Sequence, residues 1–393
     1  MQNPASILMV TREQRGDRLY GLGRSLDPVV KTLKQRGHRV RYLCQEDLPS
    51  DRAHRRQRFF LMLIALPIIR SAPRLKALLA AWMERLDMGR FAFLVARQDG
   101  YQWIHFHDPW MALGFYFSLR VFGLQGVQWG TTEHGFGSYA KATQMDGLEQ
   151  GERTQRWLLR IERWILSRAH WVIAPTQLAL DQLAKEVDFK TLPAHWRVIP
   201  HPRPDQAFPD RWLSRQQLNI PEEALMVLGV GRLVPLKRFD DLLRAFSTLA
   251  DRYPLMMLCL LGEGDGDHLK GLATSLGYLD RVRFDVREDI RPYLAAADLY
   301  VSCSLTESFG LANLEALSAG LPSLCTDVGG VPEVVGSGAL LLSEDLKDLA
   351  PSMDRLLSSS RLRAIWSERA LQRANQWPTH DMIADAYEQL YRV

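Results

Sequence analysis

Short apolar runs rich in β-branched residues alternate with helical stretches along nearly the whole chain. That alternation restricts the fold more than any other feature, because strand, crossover helix and parallel strand make up the repeating unit of α/β sheets. In the first half it predicts strands at 6–10, 39–43, 103–106, 127–132 and 171–174. Helices are expected between them at 26–35, 109–122, 153–167 and 177–185. The second half repeats the pattern, with strands at 224–230, 255–261, 281–284, 299–302, 323–326 and 339–342, a helix at 240–249 and a mostly helical end. A strand at 197–199 runs into HPRPDQAFPD, a proline-rich hinge at 201–210. A chain of 393 residues exceeds what one core usually serves, so two domains are expected, at 1–200 and 201–376, with a terminal segment at 377–393.

Cys44, Cys259, Cys303 and Cys325 are scattered without C-x-x-C spacing, which points to reduced core thiols and away from zinc or a disulfide framework. The start, MQNPASILMV, reads as a first buried strand rather than a signal peptide. The net charge of +4 divides unevenly, as +11 over residues 1–200 and −7 over 201–393. A basic first half suits an anionic partner, but it carries no nucleic-acid recognition motif. Its longest apolar run, FFLMLIALPII from Phe59 to Ile69, is too short to span a bilayer and contains Pro67. Cations flank it: Arg52, Arg55, Arg56 and Arg58 before, Arg70, Arg74 and Lys76 after. The stretch from Arg52 to Lys76 reads either as a helix lying in an anionic membrane interface or as a helix packed on the first sheet.

In parallel sheets ligands sit beyond the carboxyl ends of strands, so the loops there carry the chemistry. Strand 224–230 runs into GRLVPLKRFDDLL, where Gly231 permits close approach and Arg232 and Lys237 can converge on a diphosphate. Strand 299–302 ends in TESFG. There Glu307 lies at the strand end, beside Ser308, and the N–H groups of Phe309, Gly310 and Leu311 open a helix. Glu315, a turn further on, can accept from a vicinal diol such as ribose. In the first half, Gly21 and Gly23 precede a helix. IHFHDPW puts His107 and Asp108 after one strand, and TTEHGFG puts His134 after the next. Asp108 is open to two readings, orienting His107 or contacting an acceptor hydroxyl.

Together the Gly231/Arg232/Lys237 loop, Glu307-x7-Glu315 with its SFG, and the following AGLPSLCTDVGGVPEVV resemble family 4 of the retaining glycosyltransferases. The resemblance implies the GT-B fold, an α/β pair of Rossmann-like domains facing a cleft, with the terminal helix returning to the first domain. It implies that Glu307 binds the transferred sugar, Glu315 the ribose, and Arg232 and Lys237 the diphosphate. Backbone around Asp285, Val286 and Arg287 would flank the base, although the glycine usual in that loop is missing. His134 would touch the donor sugar, and Gly21 and Gly23 would form the glycine loop of the acceptor side. Asp265-Gly266-Asp267 matches the family's glycine loop rather than a D-x-D metal motif, so neither metal nor cofactor is expected. His201-Pro202-Arg203-Pro204 stands where relatives commonly have Asn-Gly-Val-Asp.

The function expected is transfer of a hexose from a nucleoside diphosphate sugar to a glycan or lipid-linked acceptor in polysaccharide or glycolipid assembly, with retention implied by the resemblance alone. The chain would be cytoplasmic, peripheral on the inner membrane face. No carboxylate is placed as a covalent nucleophile, which favours front-face departure of the diphosphate. A nucleotide-sugar epimerase on the same fold and a non-catalytic sugar-binding or scaffold protein remain as alternatives.

Overall fold

The computed structural model describes residues 4–391, apart from 12, 14–20, 146, 149–150 and 205–206. The chain forms two compact units, residues 1–200 with 380–393, and residues 201–379.

The first unit runs β1 (Ser6–Val10), α1 (Gly21–Gln35), β2 (Arg39–Leu43), α2 (Ser50–Ile64), α3 (Pro67–Arg70), α4 (Pro73–Asp99), β3 (Trp103–Phe106), α5 (Pro109–Phe122), β4 (Gln128–Thr132), α6 (Tyr139–Met145), α7 (Glu152–Leu166), β5 (Trp171–Ala174), α8 (Gln177–Glu186) and β6 (Trp196–Val198). Its six strands pair in the order β2-β1-β3-β4-β5-β6, and the pairings are parallel. Strand residues alternate between the two faces. Leu8 and Val10 face a core built with α4, α5 and α7, while Ile7 and Met9 face α1 and the chain's last helix. Helices α4 and α5 cross closely because Gly89 and Gly114 sit at the contact. A Cβ on Gly89 would lie 1.9 Å from the carbonyl oxygen of Met111.

The second unit runs α9 (Arg211–Gln217), β7 (Met226–Val230), α10 (Phe239–Ala250), β8 (Met257–Leu261), α11 (Asp267–Ser275), β9 (Val282–Asp285), α12 (Arg291–Ala296), β10 (Leu299–Ser302), α13 (Leu311–Ser318), β11 (Ser323–Thr326), α14 (Val331–Val335), β12 (Leu340–Leu342), α15 (Leu349–Leu357) and α16 (Ser360–Gln376). Its parallel sheet is ordered β12-β11-β10-β7-β8-β9. Numbered from β7, this is the Rossmann order, which reverses direction between β7 and β10. Helix α17 (His380–Leu390) closes the chain and belongs to the first unit. Arg36, just beyond α1, meets Asp381 and Asp385 of α17, and Tyr391 just beyond α17 reaches His105 of β3 at 2.9 Å.

Three expectations need correction. The first helix starts at Gly21 rather than at 26, so Gly21 and Gly23 form its opening turn instead of preceding it. Most of the loop leading to them lies outside the described residues. The apolar run from Phe59 is not one helix, since α2 ends at Ile64 and α3 starts at Pro67. Proline lacks the N–H that a continuing helix needs there. Residues 377–379 lie in the second unit, where the Trp377 indole donates to the His201 carbonyl at 2.9 Å.

Candidate active site

In the second unit, the reversal between β7 and β10 brings together two loops that the sequence keeps far apart. After β7, Gly231 leads through Arg232 to a single 3-10 turn at Pro235–Lys237. After β10, residues 303–310 lead into α13. The backbone N–H of Leu305 donates to the Leu236 carbonyl at 2.9 Å, which ties the loops edge to edge. Across that tie the Lys237 ammonium forms an ion pair with the Glu307 carboxylate. Ser304 donates to the same Glu307 oxygen at 2.9 Å, and the Glu307 carbonyl accepts from the Gly330 N–H at 2.8 Å. Ser304 and Gly330 were not singled out from sequence. A serine at a strand end and a glycine in a turn are common, and only the fold gives these two a task.

Small residues make the site possible. The Lys237 side chain lies against Gly231, where an added Cβ would sit 3.0 Å from Cε. The glycine loop after β8 is closer still, since a Cβ on Gly262 would meet the Gly231 carbonyl at 1.9 Å. Within that loop the Asp265 carboxylate accepts from the Asp267 N–H at 3.0 Å. No group of three or more His, Cys, Asp or Glu side chains able to hold a metal occurs among the described residues.

Helix α13 opens at Gly310, whose φ of +80° suits glycine. The N–H groups at such a start point outward and favour an anion. Phe309 anchors the turn: its ring is buried and packs edge-on against His201 at 5.0 Å and Trp377 at 5.5 Å. The His-Pro-Arg-Pro segment thus contributes a ring under the candidate sugar loop. Burial pushes the His201 imidazole down to about 4. Ser308, Leu311 and Glu315 are half-buried around the same helix start, and Arg232 is exposed. At the proposed base loop, Asp285 is committed locally. It accepts from the Val286 N–H at 2.8 Å and from Arg287 at 3.2 Å, and also from the Tyr293 hydroxyl. Val286 itself is exposed.

In the first unit, the histidine loops after β3 and β4 do meet. His107 Nδ1 lies 2.9 Å from His134 Nε2, with the rings stacked at 5.2 Å. His105, two residues earlier, stacks on His107 at 5.0 Å and was not anticipated, because it lies mid-strand. A ring nitrogen that donates needs a neutral acceptor opposite, so the His107–His134 contact holds at most one added proton. Burial, helped by His134, lowers the His105 imidazole to about 3.

Asp108 departs from both readings of it. It is fully buried and caps α5, accepting from the Trp110 and Met111 N–H groups at 2.8 and 3.3 Å. Its other oxygen takes Arg85 of α4 at 3.0 Å and the Tyr139 hydroxyl. With both oxygens engaged, its task is to join α4, α5 and α6. Arg85 gave no signal in sequence, since an arginine within a helix is ordinarily a surface charge.

A cation, a carboxylate and a helix start at the reversal of a Rossmann-ordered sheet stand where such sheets take their ligands. A second parallel α/β unit beside it in the chain completes the makeup of the GT-B glycosyltransferases. The comparisons with known proteins agree. The model described as "Glycosyltransferase Family 4" matches residues 20–205, and that described as "Glycosyl transferases group 1" matches 210–373. The chain belongs to the family-4 glycosyltransferases. It is 35% identical over 189 residues to D-inositol 3-phosphate glycosyltransferase of Salinispora tropica, covering 44% of this chain and 39% of that one. It is 34% identical over 183 residues to lipopolysaccharide core biosynthesis glycosyltransferase LpsE of Rhizobium meliloti, covering 45% and 53%. The matches thus span about two fifths to half of these relatives' length. Among solved structures, sucrose-phosphate synthase from Thermosynechococcus elongatus superposes with a TM-score of 0.74 at 22% identity, covering 99% and 98%. Anabaena HepE in complex with UDP-glucose superposes with a TM-score of 0.68 at 19% identity, covering 99% and 100%.

Proposed function

We propose that the chain transfers a hexose, with retention, from a nucleoside diphosphate sugar to a hydroxyl of a glycan or lipid-linked acceptor. The Lys237–Glu307 ion pair at the start of α13 is the observation that carries this reading. On donor binding, Lys237 and Arg232 turn to the diphosphate and Glu307 to the sugar hydroxyls, while the 309–311 amides stabilise charge on the leaving group. Glu315 accepts from the ribose, and the backbone at 285–287 flanks the base. His107 and His134 serve the substrate face of the first unit. The step needs no metal in this reading.

The relatives' names support the substrate classes. One set acts on an inositol phosphate and another builds lipopolysaccharide core, while the solved neighbour holds UDP-glucose. A lipid-linked acceptor places the chain at the cytoplasmic membrane face, with the segment from Arg52 to Lys76 against anionic headgroups. No helix among the described residues is long and apolar enough to cross a membrane.

Thermal-shift measurements against UDP-, GDP- and ADP-sugars test the donor site, with Glu315→Ala as control. One nucleotide series should raise the melting temperature, and the variant should lose that rise. No rise with any donor would overturn the reading.

A further inference from the structure

The Arg52–Lys76 segment is one part of a larger surface. Helix α2 has no buried residue and leans on α4, which packs against α5, which in turn packs against α7. Helices α4, α5 and α7 share one face of the first sheet, so the outward sides of these four neighbours lie on the same side of the unit. On α2, spacing of three and four residues separates two faces. Arg52 and Arg56 turn inward to Asp87 of α4, at 3.4 and 3.5 Å. Arg55, Arg58, Phe59 and Met62 turn outward, and Phe59 and Met62 are 55% and 70% exposed.

The outer edge of the layer repeats this chemistry. Phe117, Val121 and Phe122 of α5 are exposed, Val121 by 72%. Phe117 stacks on Trp164 of α7 at 6.1 Å, and the Arg168 guanidinium covers that indole at 4.0 Å. Helix α5 contains no acidic residue. Of the two acids of α7, Glu162 is buried and Glu152 is exposed at the helix start, where exposed arginines such as Arg156 and Arg160 outnumber it. Exposed apolar side chains interleaved with an excess of exposed arginines, of which Arg55 pairs with Asp51 at 2.6 Å, suit the boundary between anionic headgroups and acyl chains.

We infer that the α2–α4–α5–α7 layer docks on an anionic bilayer through two anchors, one on α2 and a second at the α5–α7 edge. This rests on the membrane placement proposed above and extends it to residues outside the 52–76 segment. The second anchor makes attachment bivalent, so losing either weakens binding and losing both removes it.

The test is co-sedimentation of the full chain with vesicles of phosphatidylglycerol and phosphatidylcholine, against phosphatidylcholine alone. Arg55→Glu with Arg58→Glu probes α2 without touching the Asp87 pairs, and Phe117→Ser with Val121→Ser probes α5. Each double variant should bind phosphatidylglycerol vesicles roughly tenfold or more weakly, and the quadruple variant should stay in the supernatant. Unchanged binding by Phe117→Ser/Val121→Ser would overturn the second anchor while leaving the α2 placement standing. Failure of the wild type to sediment would overturn both. Light scattering that finds a wild-type dimer, made monomeric by the α5 variant with vesicle binding intact, would assign that edge to a second copy instead. Donor thermal shifts on the same variants separate these results from failure of the glycosyl-transfer reading.

Discussion

The ammonium of Lys237 and the carboxylate of Glu307 pair directly although 70 residues separate them in the chain. In the proposed reading each is a group that a sugar diphosphate would use, and donor binding exchanges their mutual pairing for contacts to the donor. Lys237→Ala should lower kcat by roughly 10²–10³, as for other preorganised charge stabilisers. Steady-state kinetics with the donor identified by thermal shift checks this, and near-normal turnover would remove Lys237 from the mechanism.

Gly231 and Gly262 should fail differently when substituted by alanine. A Cβ on Gly231 presses only on the flexible Lys237 stem at 3.0 Å, although its φ of +154° strains any side chain, so alanine there costs some stability and lowers turnover roughly 10–100-fold through misplacement of the ammonium. A Cβ on Gly262 meets a backbone carbonyl at 1.9 Å, and the clash should cost about 1–3 kcal/mol of stability. Urea unfolding alongside kinetics distinguishes the two.

Asp108→Ala should act on stability. It leaves Arg85 buried without its anion and α5 without its cap, and breaking such a pair costs roughly 3–5 kcal/mol. A variant of normal stability with a raised acceptor KM would instead restore Asp108 to the acceptor site.

His105 and His201 set an acid limit, one in each unit. Their folded values of about 3 and about 4 lie below the ordinary histidine value of 6.5, so between those limits the unfolded chain binds more protons than the folded one. Stability must then fall as pH drops below about 6.5, by up to about 1.4 kcal/mol per pH unit for each group. Chemical denaturation from pH 7 to 4 should show the loss, and His105→Gln should flatten the first unit's share. An equal slope in that variant would contradict the assignment.

Much of the fold was legible from sequence because buried parallel strands are short apolar runs closed by polar loops. The strands at 299–302 and 323–326 fall where the pattern put them. The start of α1 was not legible, since Gly21-Leu-Gly23 has the composition of a turn, and the helix is held by packing further along it, through Val29, Val30 and Leu33. Nor was the tight crossing of α4 and α5, which depends on where Gly89 and Gly114 land relative to a partner helix.

The residue types at the site, a cationic loop and a carboxylate before a glycine-opened helix, were present in the linear chain, along with the chemistry they can perform. Which of them touch was not. Strand β10 lies beside β7 although β8 and β9 intervene in sequence, and that adjacency alone brings Lys237 to Glu307. The same holds for Arg85 and Asp108, His107 and His134, and Phe309 against His201. The reason is physical: side-chain chemistry is a property of each residue, whereas pairing depends on strand order, which is set by how crossover helices cover the two faces of a sheet.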